Sequence, residues 1–400
     1  MAGSAYGALL RTPGAAAFSG AALVGRMPIS MLGIGVVLLV QDRRDSYALA
    51  GAVSAAVALG LAVLGPVVSR VVDRLGQLRV LPAALAVHAV ALVALLVLTE
   101  IGAHPVTLLL SGAVTGAALP PLGSCVRARW TTLLGREGRA GESGVAFALE
   151  SVVDEVIFVL GPLLVVLCAA LIDPAAGLIL ALLLGVGGTL SFAAQRATQP
   201  TVRAPDGRRR PTALRVPGLR VLVLSLVGVG LFFGSIEVVM VAFAEERDSS
   251  AGAGVLLALI ALGSAGAGLT YGVRTWRMPL PGRYLVALVG LAVGALPLLA
   301  APGVLTMAPA ALLAGIAVSP TLIASFALVE SLVDPDARTE GFTLLNSGLG
   351  LGVAAGAALG GAVAEAAAAR PAFLVALAGA LLALAAAGAG RRTLSPAVVA

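Results

Sequence analysis

Apolar stretches recur along this chain at 15–40, 47–69, 80–99, 105–126, 143–172, 174–195, 218–244, 251–273, 282–301, 303–331, 341–368 and 371–390. A helix of about 20 residues spans a hydrocarbon core about 30 Å thick, so each stretch has the length of a membrane crossing. A β-barrel would instead show segments of roughly 10 residues in strict alternation, and the chain has none. Only 12% of the residues are charged and 59% are hydrophobic, whereas a soluble domain carries about 25% charge. Too little polar surface is left to coat a water-soluble globule. The expected fold is an all-α polytopic membrane protein with twelve transmembrane helices. They form an N-terminal six-helix bundle over 1–196, a basic linker over 197–217 and a C-terminal six-helix bundle over 218–400.

The arginines orient this array. All 26 basic residues are arginine. With the N-terminus inside, the inner segments hold Arg11, Arg70, Arg74, Arg79, Arg127, Arg129, Arg136, Arg139, those from Arg196 through Arg220, Arg274, Arg277, Arg283, Arg338, Arg391 and Arg392. The outer segments hold Arg43, Arg44, Arg247 and Arg370. Cytoplasmic loops collect positive charge, so both termini are expected in the cytoplasm of a multi-pass protein of the inner membrane. The same placement, in short loops between apolar runs, argues against nucleic acid as a partner. The N-terminus lacks the ordered features of a cleaved signal peptide. Cys125 and Cys168 lie in apolar runs without metal-like spacing and read as inert small hydrophobes.

The two halves repeat at a constant offset of 199 residues: Pro121 falls on Pro320, Arg139 on Arg338, and Gly161 on Gly360. Parallel repeats of this kind occur in secondary transporters whose bundles rock about a site near the midplane. The loop SRVVDRLGQLRVL, residues 69–81, carries a further sign. Asp73, Arg74 and Gly76 match the G-x-L-x-D-R-x-G-R-R loop of the major facilitator superfamily, which the chain thus resembles. Ser69 replaces the first glycine, and Arg79 offers the displaced basic charge. The resemblance implies the twelve-helix fold of two pseudo-symmetric bundles, and a loop of Asp73, Arg74, Gly76 and Arg79 that latches the halves on the cytoplasmic side. Gly161-Pro162 resembles a fragment of the superfamily's antiporter motif, as in a bacterial drug-efflux permease. Ser111, however, stands where the fourth-span pattern has arginine.

Charges inside the apolar runs mark the candidate site. ALESVVDEVIFVLGP, residues 148–162, carries Glu150, Asp154 and Glu155. At 100° per residue Asp154 lies about 40° from Glu150, with Ser143 and Gly161 near the same line and Glu155 at about 140°. Lipid cannot solvate that polar arc, so it must face protein or a wet cavity. Asp154 sits about 16 Å into its span, and Arg26 about 16 Å into the first. Arg26 is therefore expected to pair with Asp154 or Glu155. Arg127 or Arg129, expected at the inner end of span four, are in a position to reach Glu150. A carboxyl left without a cation becomes a candidate proton carrier. Glu237, alone within the C-half spans, is read as a proton or substrate-cation site. Glu330 and Glu340 are read as cytoplasmic cap residues, His88 as a packed core histidine, and Trp130 and Trp276 as interface anchors. Pro28, Gly161 and Pro162 mark helix bends.

The glycine runs follow no strand, which excludes a nucleotide-binding loop, and no ATPase motif is present. The chain reads as a transporter rather than an enzyme, with no cofactor or metal and with protons as the coupling ion. It is expected to act as a monomer in the bilayer, moving a small lipophilic or amphiphilic compound outward. Metabolite uptake, or a sensing role built on a transporter frame, are the alternatives.

Overall fold

The computed structural model describes residues 2–202 and 212–395. Arg203, Arg208, Arg209 and Arg210 of the linker lie outside them. The described chain is helical, without strands: α1 (Ala2–Leu10), α2 (Ala15–Arg44), α3 (Tyr47–Leu75), α4 (Gln77–Glu100), α5 (Pro105–Ala117), α6 (Leu122–Arg136), α7 (Ser143–Leu171), α8 (Pro174–Ala194), α9 (Pro217–Glu245), α10 (Ser250–Val273), α11 (Leu280–Ala300), α12 (Val304–Ile316), α13 (Val318–Leu332), α14 (Arg338–Ala366) and α15 (Ala369–Ala389). Twelve segments have the length and apolarity to cross a membrane. The short α1, which the sequence reading passed over, is additional to them.

Two spans are broken rather than continuous. The fourth consists of α5 and α6, and the tenth of α12 and α13. Pro120 and Pro121 supply no backbone N–H, so α5 stops and α6 restarts at Leu122. Pro320 sits in the first turn of α13, where a missing N–H costs nothing. The repeat pair Pro121 and Pro320 thus marks equivalent breaks in the two halves. Irregular backbone at membrane depth survives only inside protein. Leu119 at one break and Ala317 at the other are both buried.

The fourth span also runs ten residues past its expected end at 126, to Arg136. This corrects the placement of Arg127, Arg129 and Trp130. They are buried in the bundle rather than set at its inner edge, and Trp130 is no interface anchor. The fall in hydropathy at VRARW resembles a membrane boundary, yet these side chains are solvated by protein. Helices α2 and α7 continue unbroken through Pro28 and through Gly161-Pro162.

In the N-terminal half α2 packs on α3, α7 and α8, and in the C-terminal half α9 packs on α10, α14 and α15. The equivalent contacts differ in chemistry. The α9–α14 contact is lined by glycine. A Cβ on Gly230 would lie 2.0 Å from the Leu349 carbonyl oxygen, so only glycine permits the approach. At the repeat offset, Leu349 and Val353 correspond to Glu150 and Asp154. The N-terminal half therefore carries its ionisable groups where the other half is closed by bare backbone. The halves meet along a seam of α3 against α14 and α7 against α10, with α6 on α14 and α7 on α13 at one end.

Candidate functional site

Arginine and carboxylates meet between α2 and α7. Arg26 Nη2 donates to Glu150 Oε2 at 2.6 Å and Arg26 Nη1 to Asp154 Oδ1 at 2.9 Å. Glu150 Oε1 accepts from Ser19 Oγ at 3.0 Å and from Trp130 Nε1 at 2.8 Å. Arg127 Nη2 donates to Asp154 Oδ2 at 2.6 Å. Two guanidiniums face two carboxylates, so the cluster is neutral. Short charge-assisted bonds satisfy the carboxylate oxygens, which a buried ion needs if it is to stay charged. The stripe of Ser19, Arg26 and Ser30 on α2 makes this possible, because all three face α7. Ser30 Oγ donates to the Ile157 carbonyl at 2.9 Å. Gly161 lies against the same serine, where a Cβ would come 1.9 Å from Ser30 Oγ. Its role there is close approach within a continuous helix.

Exposure grades the cluster. The side chains of Arg26, Glu150 and Arg127 are 5%, 0% and 2% exposed, whereas that of Asp154 is 32% exposed. Arg127 reaches Asp154, and Glu150 is filled by Arg26 and Trp130 instead of by Arg127 or Arg129. Arg129 donates to Gln77 Oε1 at 2.7 Å and to the Phe192 and Gln195 carbonyls, which fastens α6 to the end of α8.

Glu155 stands apart from this cluster. It makes no ion pair with Arg26, and its Oε1 accepts from Ser264 Oγ of α10 at 2.6 Å. Ser264 in turn shares a 2.8 Å hydrogen bond with Ser319 at the start of α13. Of the three carboxylates of α7, Glu155 is the one that no cation balances among the described residues, and its bond crosses the seam. Glu237 is exposed on α9 and makes no hydrogen bond or ion pair among the described residues. His88 is buried, with Nδ1 2.7 Å from the Thr115 carbonyl oxygen and no partner on Nε2. Trp276 is half-buried and donates to the Tyr271 carbonyl at 3.1 Å.

The bonds that join the halves gather at the end carrying α1 and the loop after α3. Gly76 turns that loop with φ +88°, a conformation open to glycine. Asp73 Oδ2 accepts from the Glu340 N–H in the first turn of α14 at 2.9 Å, so a helix N-terminus faces its carboxylate. Arg74 and Arg79 are exposed. The cross-seam ion pair belongs to Arg70, whose Nη2 lies 2.6 Å from Glu340 Oε1. Glu340 is 1% exposed and locks the seam, which corrects its reading as a simple cytoplasmic cap. Ser69, in place of the superfamily's glycine, bonds Thr343 at 2.7 Å, and Thr343 donates to Ser124 at 2.6 Å. Ser143 donates to Glu330 at 2.9 Å. Tyr6 of α1 donates to the Leu269 carbonyl at 2.9 Å. The Glu155–Ser264 bond lies deepest, about 18 Å along α7 from Ser143.

Sequence reasoning missed Arg70, Ser124, Ser264, Phe326 and Thr343. Only Arg70 offered a signal, as a third arginine in the same stretch. A serine in GSAGAG and a phenylalanine in an apolar run carry no mark of the partner they meet across a seam.

No curated protein matches the chain in sequence. Solved structures share its fold. The human organic anion transporter MFSD10 (TETRAN) is 18% identical with a TM-score of 0.70, covering 93% of this chain and 98% of that one. A bacterial homologue of the iron transporter ferroportin in an outward-facing state is 16% identical with a TM-score of 0.73, covering 94% and 99%. The E. coli fucose:proton symporter FucP is 13% identical with a TM-score of 0.69, covering 92% and 98%. These likenesses show a shared fold, to which the broken spans at matching places in the two halves belong. The Major Facilitator Superfamily model matches residues 18–278 and 222–397, and the chain belongs to that superfamily.

Proposed function

We propose that this protein is a secondary active transporter that exports a small lipophilic or amphiphilic compound across the cytoplasmic membrane in exchange for protons, with Glu155 as the proton carrier. The observation that carries the reading is the uncompensated Glu155 carboxylate bonded to Ser264 across the seam. The arginine distribution favours the joined end as the cytoplasmic one. With the ties between the halves gathered at that end, the outer side is the open one in this reading, and a proton from outside can reach Glu155. A carboxylate holds the serine O–H by a charge-assisted bond, and protonation weakens that bond. The deepest tie between the halves loosens, the seam opens to the cytoplasm, and the proton leaves as the compound binds. Glu237 needs a wet or protein-lined setting, and serves as an outer relay for the proton or as a contact for a cationic group. The protein works as a monomer and draws on no cofactor.

The test is reconstitution into vesicles holding a pH dye, with candidate compounds screened under an imposed proton gradient. Glu155→Gln is expected to abolish compound-dependent proton flux while downhill exchange of the compound persists. Full proton-coupled flux in that variant would refute the assignment. Protons and compound moving in the same direction, the symport named for the fucose:proton symporter, would favour uptake.

A further inference from the structure

The geometry points to Arg127 and Phe326 as the link that carries the state of Asp154 to the seam. Arg127 belongs to α6 of the N-terminal half and Phe326 to α13 of the other. The guanidinium carbon lies 4.0 Å from the Phe326 ring centroid. Phe326 packs against Phe342 at 5.9 Å and against Phe147 of α7 at 6.4 Å, and Phe147 lies 5.9 Å from Phe342. One ring and one guanidinium from the first half thus interlock with two rings from the second, all buried.

The guanidinium is aimed by its polar bonds. Nη1 donates to the Gly123 carbonyl at 3.0 Å and Nη2 to Asp154 at 2.6 Å, while Nε has no partner. Among the described residues Asp154 is its sole carboxylate, and Asp154 is the one member of the cluster with a partly exposed side chain. A proton or a polar group arriving from the open side therefore meets Asp154 first. The charged groups around Asp154 are Arg26 from α2, Arg127 from α6, and Glu150 and Glu155 from α7 itself. Helices α8 and α10 supply none, and α13 has only Glu330, near its far end. Once Asp154 is neutralised, no other carboxylate holds Arg127 in place. Its guanidinium turns away from the ring to find acceptors, and the ring cluster loses its cation. A cation over a ring is strongest where water is excluded, so this contact closes the seam only while Asp154 aims it. Arg127 and Phe326 are positioning residues for the gate. The inference rests on alternating access and is independent of Glu155 as the proton carrier.

Spin labels at Gly135→Cys and Ser331→Cys, in a background with Cys125→Ala and Cys168→Ala, report the seam distance without transport or a proton gradient. Gly135 has room for a Cβ and Ser331 is exposed. Phe326→Leu is expected to raise the open-to-closed ratio about 30-fold, equivalent to about 2 kcal/mol. Asp154→Asn raises it comparably, and the double variant no further than the larger single. Phe326→Trp restores the closed distance. Shifts that multiply in the double variant, an unchanged distance in Phe326→Leu, or a Trp variant as open as the Leu variant would overturn the link. If Asp154→Asn does not yield monodisperse protein, Arg127→Gln replaces it. Arg127→Gln is then expected to open the seam, and to open it no further in the Phe326→Leu background, and shifts that multiply overturn the link. A seam that responds while the vesicle assay fails leaves the link standing and removes only the export reading.

Discussion

Removing one member of the α2–α7 cluster should cost far more than removing a matched pair. Glu150 is fully buried, and Arg26 is nearly so. Glu150→Gln keeps an acceptor for Ser19 and Trp130, and leaves two arginines facing one carboxylate. Arg26→Gln leaves the opposite excess. Breaking a buried pair from one side costs about 3–5 kcal/mol, because a charge stays behind without its partner. Each single variant should therefore lose at least about 3 kcal/mol. Arg26→Gln with Glu150→Gln leaves Asp154 and Arg127 as a matched pair. Its loss should fall short of the sum of the singles by at least about 2 kcal/mol, within the range seen for residues in one network. Unfolding in mixed micelles can be followed by Trp130 fluorescence after Trp276→Phe, since the chain holds 2 tryptophans. Trp130 donates to Glu150 at 2.8 Å and stacks edge-on against Phe18 at 4.7 Å, so its emission reports on the cluster itself. Strict additivity of the two single losses would refute the claim that these groups form one neutral unit.

Gly161→Ala should destabilise the protein by about 1–3 kcal/mol through overpacking, since its Cβ would meet Ser30 Oγ at 1.9 Å. Ser30→Ala in the same chain should recover most of that loss in a melting assay, and no recovery would point to a different obstacle. Asp173, in the loop between α7 and α8, accepts from the Ala175 N–H at 2.8 Å and pairs with Arg43 at 2.6 Å. The backbone bond first, and then the arginine, hold its carboxyl below the usual range. A depressed carboxyl contributes stability above its unfolded value, and that contribution is lost as pH falls through the lower folded value. Asp173→Asn should therefore flatten the loss of melting temperature below about pH 4, and Asp173→Ala should lose the helix cap as well, about 1 kcal/mol. An acid profile identical to wild type in both would contradict the cap.

The spans were legible because bilayer thickness sets a length that apolar runs display directly. The approach of Arg26 to Asp154 was legible for a similar reason, since helical pitch converts residue counts into depth and wheel position. The limits were equally physical. VRARW looks like a boundary because hydropathy assigns arginine to water, while in the fold Arg127 and Arg129 are solvated by carboxylate, carbonyl and ring. Pro120-Pro121 could have signalled a broken span. What lay on its far side depended on α7 and α13, over distances along the chain that local patterns do not report. Ser264 illustrates the remainder, since its meaning comes from Glu155, 109 residues away.

The neutrality of the α2–α7 cluster has an electrical consequence. A lone elementary charge carried across a membrane exchanges about 2.3 kcal/mol with every 100 mV of potential. Two positive and two negative groups displaced together exchange none to first order. In the proposed cycle the N-terminal half swings this cluster through the bilayer field without the membrane potential favouring either position while Asp154 keeps its charge. Voltage then acts on groups outside the cluster, with the proposed proton carrier Glu155 foremost.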